Sequence, residues 1–417
     1  MELSDLSKSK KPFTINNSLN GRYTSLNVEQ PAIINMEEID ISSDTVDSNG
    51  NGDTYQPGSD IKPKVTVADV EKLAERLYGI VVKDIKELLA YDDRNYLIQE
   101  DKIIKNPIIT NNWPHGYVLK IVNAHDSKKT SLFEAQNEAL IYLRNQKIEC
   151  PNPVANVYGK YFSVEKLNGV DHIVRLLEFI PGKIFNQVPK SNYLFFSSGE
   201  YLAKVDRALK TFHNEVYLTH RTNWMLQEMP QIKDFLHALP DHGRKQIVEE
   251  VIEKFETKVL AHIDDFDKQI IHGDYNEQNI LVGPVRPNSD EYKVTGVIDF
   301  GDTSLSPVIF ELAIAMTYII LDANDLAAGG IVMAGYTSIK PIPKEDLKFI
   351  KTCVAARLCQ SLVMGAYTYT IQPTNDYVLV TQKKGWPILE ELWKEKFEEI
   401  DEIWETAADN YLKQSTK

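Results

Sequence analysis

Two apolar runs in the middle of the chain each end on a fixed set of polar residues, and this pairing restricts the fold more than any other feature. The first reads Ile270-Ile-His272-Gly-Asp274-Tyr-Asn-Glu-Gln-Asn279-Ile-Leu-Val282. It is a short strand delivering a His-x-Asp, then an Asn that opens another apolar strand. The second, Thr295-Gly-Val-Ile-Asp299-Phe-Gly-Asp302, is a strand that ends on Asp-Phe-Gly. Asp274, Asn279 and Asp299 thus each stand at a strand end.

Phosphoryl transfer asks little covalent work of a protein. It needs metal-neutralised phosphate oxygens and an acceptor hydroxyl held in line. A carboxylate near the hydroxyl, with an amide and a second carboxylate for hard Mg²⁺, is the minimum set. Asp274 is read as the catalytic base, and Asn279 and Asp299 as the metal ligands. A turn-forming role fits Asp274 or Asn279 taken singly but does not explain the set. His272 is read as bracing this loop against the Asp-Phe-Gly segment. Asp302 either joins the metal shell or caps a helix starting near Val308.

Such a site also needs a lysine for the nucleotide's phosphates and a helix carboxylate to orient it. Val118-Leu119-Lys120-Ile121 places one lysine in an apolar strand. Glu134 is read as its partner, although Glu138, one turn on, lies on the same helix face. The loop Ala90-Tyr-Asp-Asp-Arg-Asn95-Tyr96 lacks the glycines of a phosphate-covering loop. Asn95, Arg94 or backbone amides would have to meet the phosphates there, and a plain hairpin turn suits Asp92 and Asp93 equally well.

Around these motifs the pattern predicts an α+β, two-lobed architecture. Residues 1–64, rich in Ser, Asn, Asp and Gly, are expected to be a disordered extension. Residues 65–182 form a nucleotide-binding lobe. It opens with a helix capped by Thr66, has strands at 81–89, 95–99, 117–122 and 172–179, and carries a helix at 131–143. Ile180-Pro181-Gly182 marks a hinge. Residues 183–417 form a mainly helical lobe, with helices at 199–212, 231–239, 244–262, 308–321, 343–369 and 385–413.

Composition narrows the partners. A net charge of −14 argues against a surface built for nucleic-acid phosphates or anionic lipid, and slightly favours a cationic substrate. No apolar stretch is long enough for a membrane span, and the start of the chain has no secretory signal. Cys150, Cys353 and Cys359 are read as reduced core residues, which points to the cytoplasm.

The combination of His272-Gly-Asp274, Asn279 and Asp299-Phe-Gly-Asp302 resembles the aminoglycoside phosphotransferase and choline kinase group. Protein kinases usually place Arg between that His and Asp. More narrowly, the Tyr-Asp-Asp-x-Asn run ending at Asn95, Glu134-x-Gln-Asn137, Val174-Arg-Leu-Leu, His220-Arg221 and Arg357-x-Cys-Gln-Ser-Leu-Val-Met364 look like the hydroxylysine kinase family, from about Val65 to near the C-terminus. The resemblance implies transfer of phosphate from GTP, with Mg²⁺, to the side-chain hydroxyl of a free amino acid, 5-hydroxy-L-lysine. It implies the roles given above for Asp274, Asn279, Asp299 and Lys120. A preference for GTP over ATP would be read at the hinge, near Glu178 to Ile180.

A substrate with two ammonium groups and a carboxylate needs complementary charges. Arg221 is a candidate for the carboxylate, beside Trp224, although an arginine lying over that ring on the surface is the simpler reading. Glu311 either meets an ammonium or, the preferred reading, pairs internally with Arg357. Two rivals remain open from the residues alone. One is a kinase for another amino alcohol such as choline, ethanolamine or homoserine, and the other is a silent kinase-fold interaction module. A protein kinase is disfavoured, because no long segment separates Asp302 from the following helix and Ala-Pro-Glu is absent.

Overall fold

The computed structural model describes residues 61–88, 90, 92–101, 104–371 and 378–415. The extension up to residue 60 and Tyr91 lie outside the described residues. Ile61 to Lys64, expected to belong to the extension, are instead tied into the small lobe. The Ala124 amide donates to Ile61 O at 3.0 Å, and Arg94 Nε donates to Pro63 O at 3.3 Å.

Helix α1 (Val67–Tyr78) begins at a reciprocal cap: the Asp69 amide donates to Thr66 Oγ1, and the Thr66 amide donates to Asp69 Oδ2. Its apolar positions Val70, Leu73, Ala74 and Leu77 are buried against an antiparallel sheet. The sheet comprises β1 (Val82–Leu88), β2 (Arg94–Glu100), β3 (Tyr117–Ile121), β4 (Pro153–Val154), β5 (Phe162–Leu167) and β6 (Val170–Glu178). Its order is β1-β2-β3-β6-β4, with β5 also paired to β6. Helix α2 (Thr130–Asn145) lies between β3 and β4 in the chain, and its Leu132, Ala135, Ala139, Leu140 and Leu143 belong to the core of the larger lobe. That shared core joins the two lobes through apolar packing.

In the larger lobe, β7 (Lys183–Ile184) pairs with β9 (Ile280–Pro284), which also pairs with β10 (Tyr292–Val297). β8 (Lys268–Ile271) pairs with β11 (Ser304–Pro307). The helices are α3 (Asn192–Leu209), α4 (Val216–Thr219), α5 (His242–Lys254), α6 (Val308–Ala323), α7 (Ala327–Ile339), α8 (Lys344–Leu347), α9 (Ile350–Ile371), α10 (Val378–Lys394) and α11 (Phe397–Ser415). The architecture is the expected α+β, two-lobed one.

Several elements differ from their sequence expectation. The helix expected at 231–239 is a 3₁₀ run, Leu226–Ala238, interrupted by Pro230. The helix expected at 343–369 is divided into α8 and α9, and that at 385–413 into α10 and α11. β5, β11 and α7 were not anticipated. The α7 sequence contains three glycines, which lower helix propensity. A Cβ at Gly335 would stand 2.0 Å from Phe196 O, so the close approach of α7 to α3 requires the glycine that hides the helix from propensity reasoning.

Candidate active site

The β8 run carries buried Ile270 and Ile271 up to His272, which is itself fully buried. At Gly273 the backbone turns with φ +82°, and a Cβ there would lie 2.4 Å from Asp302 O. Only glycine lets the two polar strand ends pass this closely. The Gly273 amide donates to Glu311 Oε2 at 2.9 Å. Glu311 therefore supports the loop from below, and burial followed by Asp206 raises its pKa well above the usual range.

His272 spans both motifs. Nε2 donates to Ile298 O across 3.0 Å, and Nδ1 accepts from the Asp274 amide at 3.2 Å. Those two bonds require the neutral ring, and burial, the largest influence, lowers its pKa. The arms meet again where the Ile298 amide donates to Asn279 O at 2.9 Å.

Asp274 is half-buried and its carboxylate is fixed on both oxygens. Oδ1 pairs with Arg357 Nη2 at 2.9 Å. Oδ2 accepts from Asn276 Nδ2 at 2.8 Å and from Asn279 Nδ2 at 2.9 Å. Engagement of its nitrogen in this way leaves Asn279 Oδ1 as the atom of that amide suited to a cation. Asp299 adopts φ +60°, a left-handed conformation that Asp tolerates better than most residues. Its Oδ1 lies 3.7 Å from Lys120 Nζ, and Lys120 is the main influence holding its carboxyl below the usual range. Asp302, expected either to join the metal shell or to cap α6, does not cap: Pro307 stands at that N-cap without a side-chain bond, after the intervening β11. Burial, then Asp274, pushes the Asp302 carboxyl up to about 7.

Lys120 Nζ pairs with Asp93 Oδ2 at 3.0 Å. The expected partner Glu134 instead lies on the exposed face of α2, and Glu138 accepts from Asn214 Nδ2 at 2.8 Å. Gln136 and Asn137 of α2 are both buried. Gln136 accepts from Arg175 Nη1 at 3.0 Å and donates to Gly301 O at 3.3 Å. Asp93 was missed because it resembled a turn residue. The register that sets Asn95 opposite Lys120, and Lys120 opposite Arg175, is the signal that turns Asp93 to the same face. Burial works to lower the Lys120 pKa, but Asp299 and Asp93 outweigh it and raise it.

Among the expected phosphate contacts, Asn95 Oδ1 is buried without a hydrogen-bond partner. Arg94 is engaged with Glu87 at 2.5 Å instead. At the hinge, the Phe179 amide donates to Gly116 O and the Glu178 amide to Asn152 O. Trp113 Nε1 donates to Phe179 O at 2.7 Å. Ile180 is buried beside them.

The anticipated substrate contacts are rearranged. Arg221 is exposed and donates to Leu218 O and His220 O. The guanidinium over the Trp224 ring, 5.4 Å from its centroid, belongs to Arg357. Arg357 is buried, bonds Tyr318 Oη, Trp224 O and Gln360 Oε1, and pairs with Asp274 rather than with Glu311. Among the described residues no group of three or more His, Cys, Asp and Glu side chains is arranged to hold a metal. No helix among them is long and apolar enough to cross a membrane. The three cysteines are buried and unpaired.

Known proteins are similar to this chain in sequence and fold. The model of the phosphotransferase enzyme family matches residues 84–342. A hydroxylysine kinase of Mus musculus is 32% identical over 87% of this chain and 98% of its own length. One of Xenopus laevis is 34% identical over 84% and 96%. Among solved structures, the amicoumacin kinase hAmiN in complex with AMP-PNP, Ca²⁺ and Ami superposes with a TM-score of 0.59 at 16% identity, covering 81% of this chain and 97% of that one. A microcompartment-associated aminopropanol kinase superposes with a TM-score of 0.55 at 15% identity, covering 79% and 99%. The chain belongs to the phosphotransferase enzyme family, with hydroxylysine kinases among its relatives, and is an enzyme that transfers phosphate to an alcohol group.

Proposed function

We propose that this enzyme transfers the γ-phosphoryl group of GTP to the side-chain hydroxyl of 5-hydroxy-L-lysine. The likeness to hydroxylysine kinases over nearly their whole length carries this reading. The clustering of Lys120, Asp274, Asn279 and Asp299 at one cleft supports the chemistry.

Asp274 Oδ1 or Oδ2 receives the proton of the acceptor hydroxyl, and the fixed carboxylate presents its lone pairs in one direction. Arg357 and the two asparagines keep that carboxylate oriented without occupying all its acceptor sites. Lys120 meets the nucleotide's phosphates, and Asp93 and Asp299 hold its ammonium in the cleft. Asn279 Oδ1 and the Asp299 carboxylate fit Mg²⁺, a hard cation that takes few protein ligands and completes its shell with phosphate oxygens and water. Burial, then the charges of Asp274 and Asp299, push the Asp302 carboxyl up, and a cation at the site would offset that crowding. When bound, Mg²⁺ neutralises charge on the transferred phosphoryl group. Backbone groups around Ile180 meet the nucleotide base.

The test is nucleotide diphosphate release by the purified enzyme with Mg²⁺, GTP or ATP, and hydroxylysine beside lysine, choline, ethanolamine and homoserine. Turnover confined to GTP and hydroxylysine is expected. Turnover on another acceptor discards the substrate, and preference for ATP discards the donor.

A further inference from the structure

We propose that Glu277 is the residue that receives a primary ammonium group of the acceptor. This rests on the amino-acid kinase reading above and extends it to the substrate's charges.

Glu277 follows Asp274 and Asn276 in the catalytic loop. Asn276 Oδ1 closes the loop internally by accepting from the Gln278 and Asn279 amides, at 2.8 and 3.2 Å. The Glu277 carboxylate shares its surroundings with Asp274, Asp322 and Tyr318, and the Tyr318 hydroxyl accepts from Arg357. It therefore lies near the base, three residues along the same loop.

Three of the other carboxylates in this neighbourhood have a cation within 4 Å. Asp274 has Arg357 at 2.9 Å, Asp322 has Lys190 at 2.7 Å, and Asp299 has Lys120 at 3.7 Å. Glu277 has none among the described residues. Its Oε2 is buried without a hydrogen-bond partner, and the carboxylate is met by Gln278 Nε2 at 3.5 Å and by the residue's own backbone amide. A shielded carboxylate oxygen without a donor is unfavourable unless something completes it. The acceptor brings ammonium groups, each with three donors on one compact charge. An ammonium at Glu277 would set the distance from that charge to the hydroxyl at Asp274, so the loop that carries the base would also measure the substrate.

The experiment compares wild type with Glu277→Gln, which keeps shape and removes charge. Acceptors are hydroxylysine, its analogue lacking the α-ammonium, and its analogue lacking the terminal ammonium. The variant is expected to raise the acceptor KM by roughly tenfold or more while the nucleotide KM is unchanged, which also verifies folding. That penalty should vanish for one analogue and persist for the other. An equal penalty on all three acceptors, or none on hydroxylysine, overturns the assignment. A wild type that ignores hydroxylysine but phosphorylates another amino alcohol overturns the substrate reading alone. Glu277 is then judged by the same comparison on that alcohol and its deaminated counterpart. Silence on every acceptor overturns both.

Discussion

Asp274 is held by Arg357 on one oxygen and by two asparagine amides on the other, so its orientation does not depend on the substrate. Replacing it with Asn keeps the shape and removes the proton acceptor. We expect kcat to fall by about 10²–10⁴-fold with nucleotide affinity retained, as read by steady-state kinetics and calorimetric titration. Retained turnover would remove Asp274 from the base role. Arg357→Gln leaves Asp274 without its cation and removes a guanidinium lying between the Trp224 and Tyr318 rings. A loss on the order of 3 kcal/mol in unfolding free energy is expected. Arg357→Lys should recover little of it, because a point charge cannot serve four partners set around a planar fork. That Asp274, Asn279 and Asp299 stand at strand ends and Lys120 within a strand was legible from spacing alone. The Lys120–Asp93 and Asp274–Arg357 pairs were not, since each joins segments whose proximity only strand register or helix packing creates.

Helices α3 and α7 show how an element can be hidden from the sequence. Their backbones approach at Gly199 and Gly335, where added Cβ atoms would stand 2.0 Å from Val332 O and Phe196 O. Gly335→Ala improves helix propensity yet should destabilise the protein by about 3 kcal/mol through overpacking, measured by denaturant unfolding. The same pair of helices is joined by Tyr336 Oη donating to Asp206 Oδ2, while Asp206 Oδ1 is buried without a partner. Burial raises the Asp206 carboxyl from an ordinary 3.8 to about 7. A raised carboxyl pKa means the folded state takes up its proton first as pH falls, so this group adds stability on acidification from about 7 towards 3.8. Relative to Asp206→Asn, wild type should therefore gain in urea midpoint between pH 8 and pH 5. A constant difference would show that Asp206 does not titrate in that range.

At the scale of the whole molecule, two lobes share a core through α2, while Lys120 from the sheet lobe and Asp299 from the helical lobe lie 3.7 Å apart. A ligand that bridges them stabilises the folded chain by mass action, by about 2.7 kcal/mol at a hundredfold excess over Kd. GTP with Mg²⁺ should therefore raise the melting temperature, and Asp299→Ala should remove the Mg²⁺-dependent part while leaving any metal-independent part. An unchanged Mg²⁺ effect in that variant would exclude Asp299 as a ligand. The sequence by itself determined the α+β division and the order of the motifs, because strand ends carrying His-x-Asp, Asn and Asp-Phe-Gly are local patterns that need no knowledge of packing. It also set the capped start of α1, where Thr66 and Asp69 answer one another within a single turn. The tertiary structure alone decided which charge meets which. Glu134 faces outward while Asp93 reaches Lys120, and Arg357 passes over Glu311 to reach Asp274. Ion pairs between distant segments are chosen by register, helix rotation and burial, and those are properties of the assembled core.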